Sequence, residues 1–88
     1  MEMNEYKAIV EGLLFAAGDE GLSLQQIATV LEMEEEQARS IIHMLKDEYE
    51  QQKRGIQLIE LAGVFQLTTK KEHAPYLKKL VESPGSTS

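Results

Sequence analysis

The chain has 88 residues, 42% of them apolar, no cysteine, and a formal net charge of −6. That length makes one small domain, which buries only about 60–65% of its unfolded surface, and the lack of Cys excludes disulfides, thiolate metal sites and a Cys nucleophile. The longest apolar run, Leu13 to Ala17, falls far short of the ~20 residues that span a bilayer, and the acidic start at Glu2 and Glu5 is no secretory signal. A soluble, intracellular, cytoplasmic domain is expected.

Four helical patterns and one hairpin account for almost every residue. The first helix begins near Asn4 as N-cap, with Glu5 where a negative charge suits the dipole. Tyr6, Ile9, Val10, Leu13, Leu14 and Ala17 fall on one side at 3.6-residue spacing, and the Gly18-Asp19-Glu20-Gly21 run stops the helix. In the second, short helix, Ser23 with Gln26 three residues on forms a capping box, and Leu24, Ile27, Ala28 and Leu31 make the buried stripe. The third is entered through Glu34-Glu35-Glu36 and runs to about Gln52, with Ala38, Ile41, Ile42, Leu45 and Tyr49 inward. Gly55 is the expected C-terminal stop behind Lys53-Arg54.

After Gly55 the period changes. Ile56 to Leu61 and Val64 to Thr69 read as a hairpin about Ala62-Gly63, which fits a turn with a Gly bulge as well as a tight two-residue turn. A last helix starts around Pro75 and carries Tyr76, Leu77, Leu80 and Val81. Residues 83–88 have linker composition and read as a cut end. The expected fold is mainly α with a small β-hairpin: a winged helix-turn-helix, ordered helix, helix, helix, wing, helix, over residues 1–82. That order says little about function.

Charge is unevenly spread. Residues 1–50 hold three basic against twelve acidic side chains, residues 51–88 six against three. Catalytic candidates are few. His43 and His73 lie on different expected helices with no ligand spacing around either. Glu34-Glu35-Glu36 suits a helix N-terminus, consecutive residues there diverging by ~100°. No phosphate-binding glycine loop is present, and Ser23 has a capping role. No enzyme, metal or cofactor is expected.

A winged helix that reads DNA offers Arg, Lys, Asn or Gln from its third helix to base edges. Here that outward face is Glu36, Arg39, Ser40, His43, Asp47 and Glu50, three acids to one Arg, and the Ala62-Gly63 turn brings no cation. A DNA-binding transcriptional regulator is therefore the alternative reading, any weak contact falling to Lys53, Arg54, Lys70 and Lys71.

Two surfaces exceed what one small core requires. On the first helix Phe15 points roughly opposite the main stripe, beside Ala8, Gly12 and Ala16. A mid-helix Gly costs ~1 kcal/mol relative to Ala, so Gly12 points to close packing on a second side. Either another chain covers Phe15, or Phe15 wraps onto the chain's own last helix. On the hairpin, Ile56, Leu58, Ile59 and Leu61 put apolar residues on both faces of one strand, opposite Val64, Phe65 and Leu67. Ala8, Gly12 and Phe15 are the candidates for self-association, and Ile59, Leu61 and Val64 for binding a protein partner.

The run from Lys7 to Gly18, KAIVEGLLFAAG, resembles the first helix of the segregation and condensation protein B family. Leu22 to Ala28, the wing from Gly55 to Thr69 and Ala74-Pro75-Tyr76-Leu77 resemble the same family, so the similarity covers residues 5–82. It implies a protein of two winged-helix domains, of which this is the N-terminal one. It further implies a non-enzymatic subunit of the bacterial SMC–kleisin condensin complex, associated with the nucleoid. Such a subunit is a homodimer, formed largely through N-terminal domains, and binds the middle region of the kleisin, segregation and condensation protein A (ScpA).

Overall fold

A computed structural model describes residues 1–82. Helix α1 spans Met3–Ala17. Its N-cap is Glu2, not Asn4: the Glu2 carbonyl accepts from the Glu5 and Tyr6 N–H groups at 3.1 and 3.2 Å, which draws Asn4 into the first turn. At the other end Gly18 takes φ +59°, ending the helix where the glycine run was expected to end it. A 3₁₀ turn at Gly18–Glu20 leads to Gly21, and strand β1 is only Leu22–Ser23.

Ser23 also caps α2 (Leu24–Leu31). Its hydroxyl accepts from the Gln26 N–H at 3.1 Å, while the Gln26 side chain accepts from the Ser23 N–H at 2.8 Å. Glu32, at φ +55°, turns the chain toward α3 (Glu35–Gln51), whose Gln37 side chain accepts from the Glu34 N–H at 3.1 Å. Ala38, Ile41, Ile42, Leu45 and Tyr49 are the buried residues of α3, the inner face the periodicity predicts. Gly55 is not the stop: α3 ends at Gln51 and the left-handed residue that follows it is Lys53, at φ +49°. The chain reverses two residues before Gly55 is reached.

Strands β2 (Ile56–Leu61) and β3 (Val64–Thr69) pair antiparallel from Ile56 with Thr69 to Leu61 with Val64. Ala62 and Gly63 both have positive φ, +54° and +79°, which makes a tight type I′ hairpin turn and excludes the bulge. β1 pairs with the other side of β3, Leu22 opposite Phe65 and Ser23 opposite Val64, so the wing belongs to a three-stranded sheet ordered β1-β3-β2.

One core joins these elements. Val10 and Leu14 from α1, Ile27 and Ala28 from α2, and the five inward residues of α3 meet Leu58 and Phe65 from the inner face of the sheet. Three strands backed by helices are what a short hairpin needs for independent stability. No described helix is long and apolar enough to cross a membrane.

Helix α4 spans Ala74–Glu82. It begins where Pro75 predicts, but buries no residue: Tyr76 is 71% exposed, Leu80 63% and Val81 74%. The linker expected over 83–88 lies outside the described residues.

Candidate protein-interaction surfaces

Residues Glu5, Ala8, Gly12, Phe15 and Ala16 recur at helical spacing on the side of α1 turned away from the core, and all five are exposed. Phe15 is 82% exposed, and α4 does not fold over it. A shallow groove of about 280 Å³ runs beside this face, lined by Ala8, Gly12 and Phe15 on one wall and by Ile56 and Leu67 of the sheet on the other, with Glu11 and Tyr49 at its edge. The three residues singled out on α1 are thus brought together. Ile56 and Leu67 were not, because only the strand register shows which end of the wing reaches α1. A Cβ added to Gly12 would meet nothing within 4 Å, so no contact inside the chain calls for glycine there.

A polar tie holds the groove's edge. Tyr49, at the buried end of α3, donates its hydroxyl hydrogen bond to the Glu11 carboxylate, and Lys7 pairs with Glu48 one turn of α1 away. Arg54 lies 5.1 Å above the Tyr49 ring and 3.9 Å from Glu11. Sequence spacing gives no hint of the pairs between α1 and the end of α3, whose members are 38 to 43 positions apart. Burial first, and then the Glu11 carboxylate, push the Tyr49 phenol well above its ordinary value near 10. Below that value the phenol is protonated in both folded and unfolded chains. As pH rises past it the unfolded chain loses the proton first, so the stability this tie contributes falls by up to ~1.4 kcal/mol per pH unit. Tyr49→Phe is expected to cost about 1 kcal/mol at pH 7 and to flatten the loss of stability between pH 10 and 11, measured by urea unfolding at each pH.

The second surface is the outer face of the wing. Paired residues share a face, so the register puts Gln57, Ile59 and Leu61 with Val64, Gln66 and Thr68 on the side opposite Leu58 and Phe65. Ile59, Leu61 and Val64 therefore form one patch at the turn end, Leu61 being 68% exposed and the other two half-buried.

The outward face of α3 is unsuited to a nucleic acid. Glu36, Arg39, Ser40, His43, Asp47 and Glu50 are all exposed, and Arg39 lies 3.9 Å from Glu60 on the wing. Its lone arginine thus faces a carboxylate of its own chain. The pairing of Ile56 with Thr69 brings Lys53 and Arg54 to the same open end of the hairpin as Lys70 and Lys71, but Arg54 is engaged by Tyr49, Glu11 and Gln52. Among the described residues no group of three His, Asp or Glu side chains is placed to hold a metal ion.

The fold is a winged helix whose third helix turns an acidic face outward and which leaves two apolar faces exposed. The family model for segregation and condensation complex subunit ScpB matches residues 8–88, and the chain belongs to that family. It is 67% identical over 82 residues to segregation and condensation protein B of Geobacillus thermodenitrificans, covering 93% of this chain and 39% of that protein. The Bacillus subtilis protein of the same name is 54% identical over 85 residues, 97% of this chain and 43% of that one. The chain thus spans about two fifths of the length of these relatives. A crystal structure of a dimer of an ScpB N-terminal domain complexed with ScpA peptide superposes with a TM-score of 0.86 at 64% identity, covering 89% of this chain and 96% of that one. ScpB from Mycobacterium tuberculosis, at 23% identity, shares the fold: TM-score 0.88 over 100% of this chain and 54% of that chain.

Proposed function

We propose that this domain is the N-terminal of two winged-helix domains of a non-enzymatic subunit of a bacterial SMC–kleisin condensin complex. It forms a homodimer and binds a segment from the middle region of the kleisin ScpA, and through it the SMC protein, in chromosome condensation and segregation. It works in the cytoplasm, associated with the nucleoid. The observation that carries this reading is the 64% identical solved dimer with its ScpA peptide: the match covers 96% of that chain, so the likeness is to an N-terminal domain as a whole. The exposed α1 face with Ala8, Gly12 and Phe15 is assigned to self-association, and the wing patch of Ile59, Leu61 and Val64 to the kleisin.

The test is calorimetric titration of the domain with peptides spanning the kleisin's middle region, its mass followed by light scattering in the same buffer. Saturable binding at one peptide per two chains is expected. A folded domain that binds none of the peptides would move kleisin recognition to the part of the relatives this chain does not span. Leu61→Glu should weaken peptide binding at least tenfold with an unchanged circular dichroism spectrum, since a charge replaces an apolar contact on an otherwise solvent-facing side chain. Unchanged affinity would discard the wing patch. The rival, a DNA-reading role, would show duplex affinity falling by ~10³–10⁵ between 50 and 200 mM salt for 6–10 phosphate contacts. The acidic face of α3 and the Arg39–Glu60 pair argue against it.

A further inference from the structure

Helix α4 has an apolar stripe that its own chain does not bury. Tyr76, Leu77, Leu80 and Val81 recur at helical spacing, and each is exposed by more than a third. A nine-residue helix is marginal in water by itself, so α4 needs a surface to lie on. The groove beside α1 needs the converse. Phe15 and Ile56 stand exposed at its walls, and the open space at Gly12 lets another backbone come close. The charges match as well: the open side of α1 bears Glu5, and α4 carries Lys78 and Lys79.

We infer that in the dimer each protomer's α4 lies in the α1–sheet groove of its partner, Leu77, Leu80 and Val81 packing against Phe15, Gly12 and Ile56. This rests on the reading that the domain dimerises through α1. The occupant is a second copy because the chain holds α4 off its own groove, and because the 64% identical solved domain is a dimer. Exchange is self-complementary: two identical helix-in-groove contacts related by a two-fold axis close the assembly without leaving a free groove.

Cysteine scanning tests it directly, since the chain has no Cys of its own. Chains with Ala8→Cys or Ala16→Cys are mixed with chains carrying Leu77→Cys or Val81→Cys and oxidised. At least one combination should give a disulfide between chains, which requires Cα atoms within about 7 Å. Leu80→Asp, at a side chain 63% exposed in its own chain, should leave the urea midpoint of the monomer at low protein concentration unchanged. It should raise the dimer dissociation constant at least 100-fold by light scattering. A dimer that survives Leu80→Asp and forms no such disulfide overturns the exchange but leaves α1 dimerisation standing. Disulfides that close only within one chain, when both cysteines are placed on it, also overturn the exchange and put α4 in its own groove. A monomeric parent chain overturns the dimerisation reading itself.

Discussion

Gly21→Ala is expected to destabilise the domain by several kcal/mol, while Gly12→Ala leaves the monomer as stable or raises its stability by about 0.5–1 kcal/mol. Both exchange a hydrogen for a methyl group, and their surroundings decide the outcome. Gly21 has φ +66°, a region costly to any residue with a Cβ. A Cβ built there would stand 2.5 Å from the Phe65 carbonyl oxygen and 2.5 Å from a Val64 methyl. The oxygen belongs to the central strand of the sheet, pinned by pairing on both sides, and Phe65 itself is 3% exposed in the core. The carbonyl oxygen cannot give way without breaking the β1–β3 pairing or moving Phe65. Urea unfolding of the two variants beside the parent chain measures the difference, at concentrations low enough to keep all three monomeric. A Gly21→Ala variant within 1 kcal/mol of the parent would mean that the close approach of the 3₁₀ turn to β3 is not a feature of the folded domain.

This contact also marks where sequence reading ends. The inner face of α3, the Ser23–Gln26 capping box and both strands of the wing follow from periodicity and local chemistry, each signal being contained within a few residues. β1 does not. Leu22 and Ser23 have no period of their own and become a strand only because Gly21 lets them lie against Phe65 and Val64, more than forty positions away. The turn at Ala62-Gly63 was ambiguous for a related reason: Ala at φ +54° is disfavoured by about 1 kcal/mol, so its own preference argues against the tight turn that strand register imposes. The candidate surface splits the same way. Ala8, Gly12 and Phe15 are visible as a stripe that the core does not use, whereas Ile56 and Leu67 join them only through register. For α4 the pattern was legible and its destination was not. An amphipathic stripe states that a partner surface exists, and it reads identically whether that surface lies in the same chain or in another.

Phe15→Asp separates those two possibilities on α1. Phe15 is 82% exposed and no residue of α4 is buried, so the folded monomer loses little when the ring is removed. The circular dichroism spectrum and the urea midpoint at low protein concentration should match those of the parent within ~0.5 kcal/mol, as for other surface changes. The dimer should respond quite differently. Burying one phenylalanine contributes about 1.5–3 kcal/mol, and a two-fold interface contains Phe15 twice, so its loss amounts to roughly 3–6 kcal/mol. That corresponds to a dissociation constant raised by about 10²–10⁴-fold, before the cost of placing two unpaired carboxylates in an apolar contact. Sedimentation equilibrium over a wide concentration range would read the shift from dimer to monomer. If Phe15→Asp instead unfolds the isolated chain, the ring is covered by its own chain in solution and the α1 face is part of the core. If fold and dimer both persist, self-association uses another surface, and Ala8, Gly12 and Phe15 lose their assignment together.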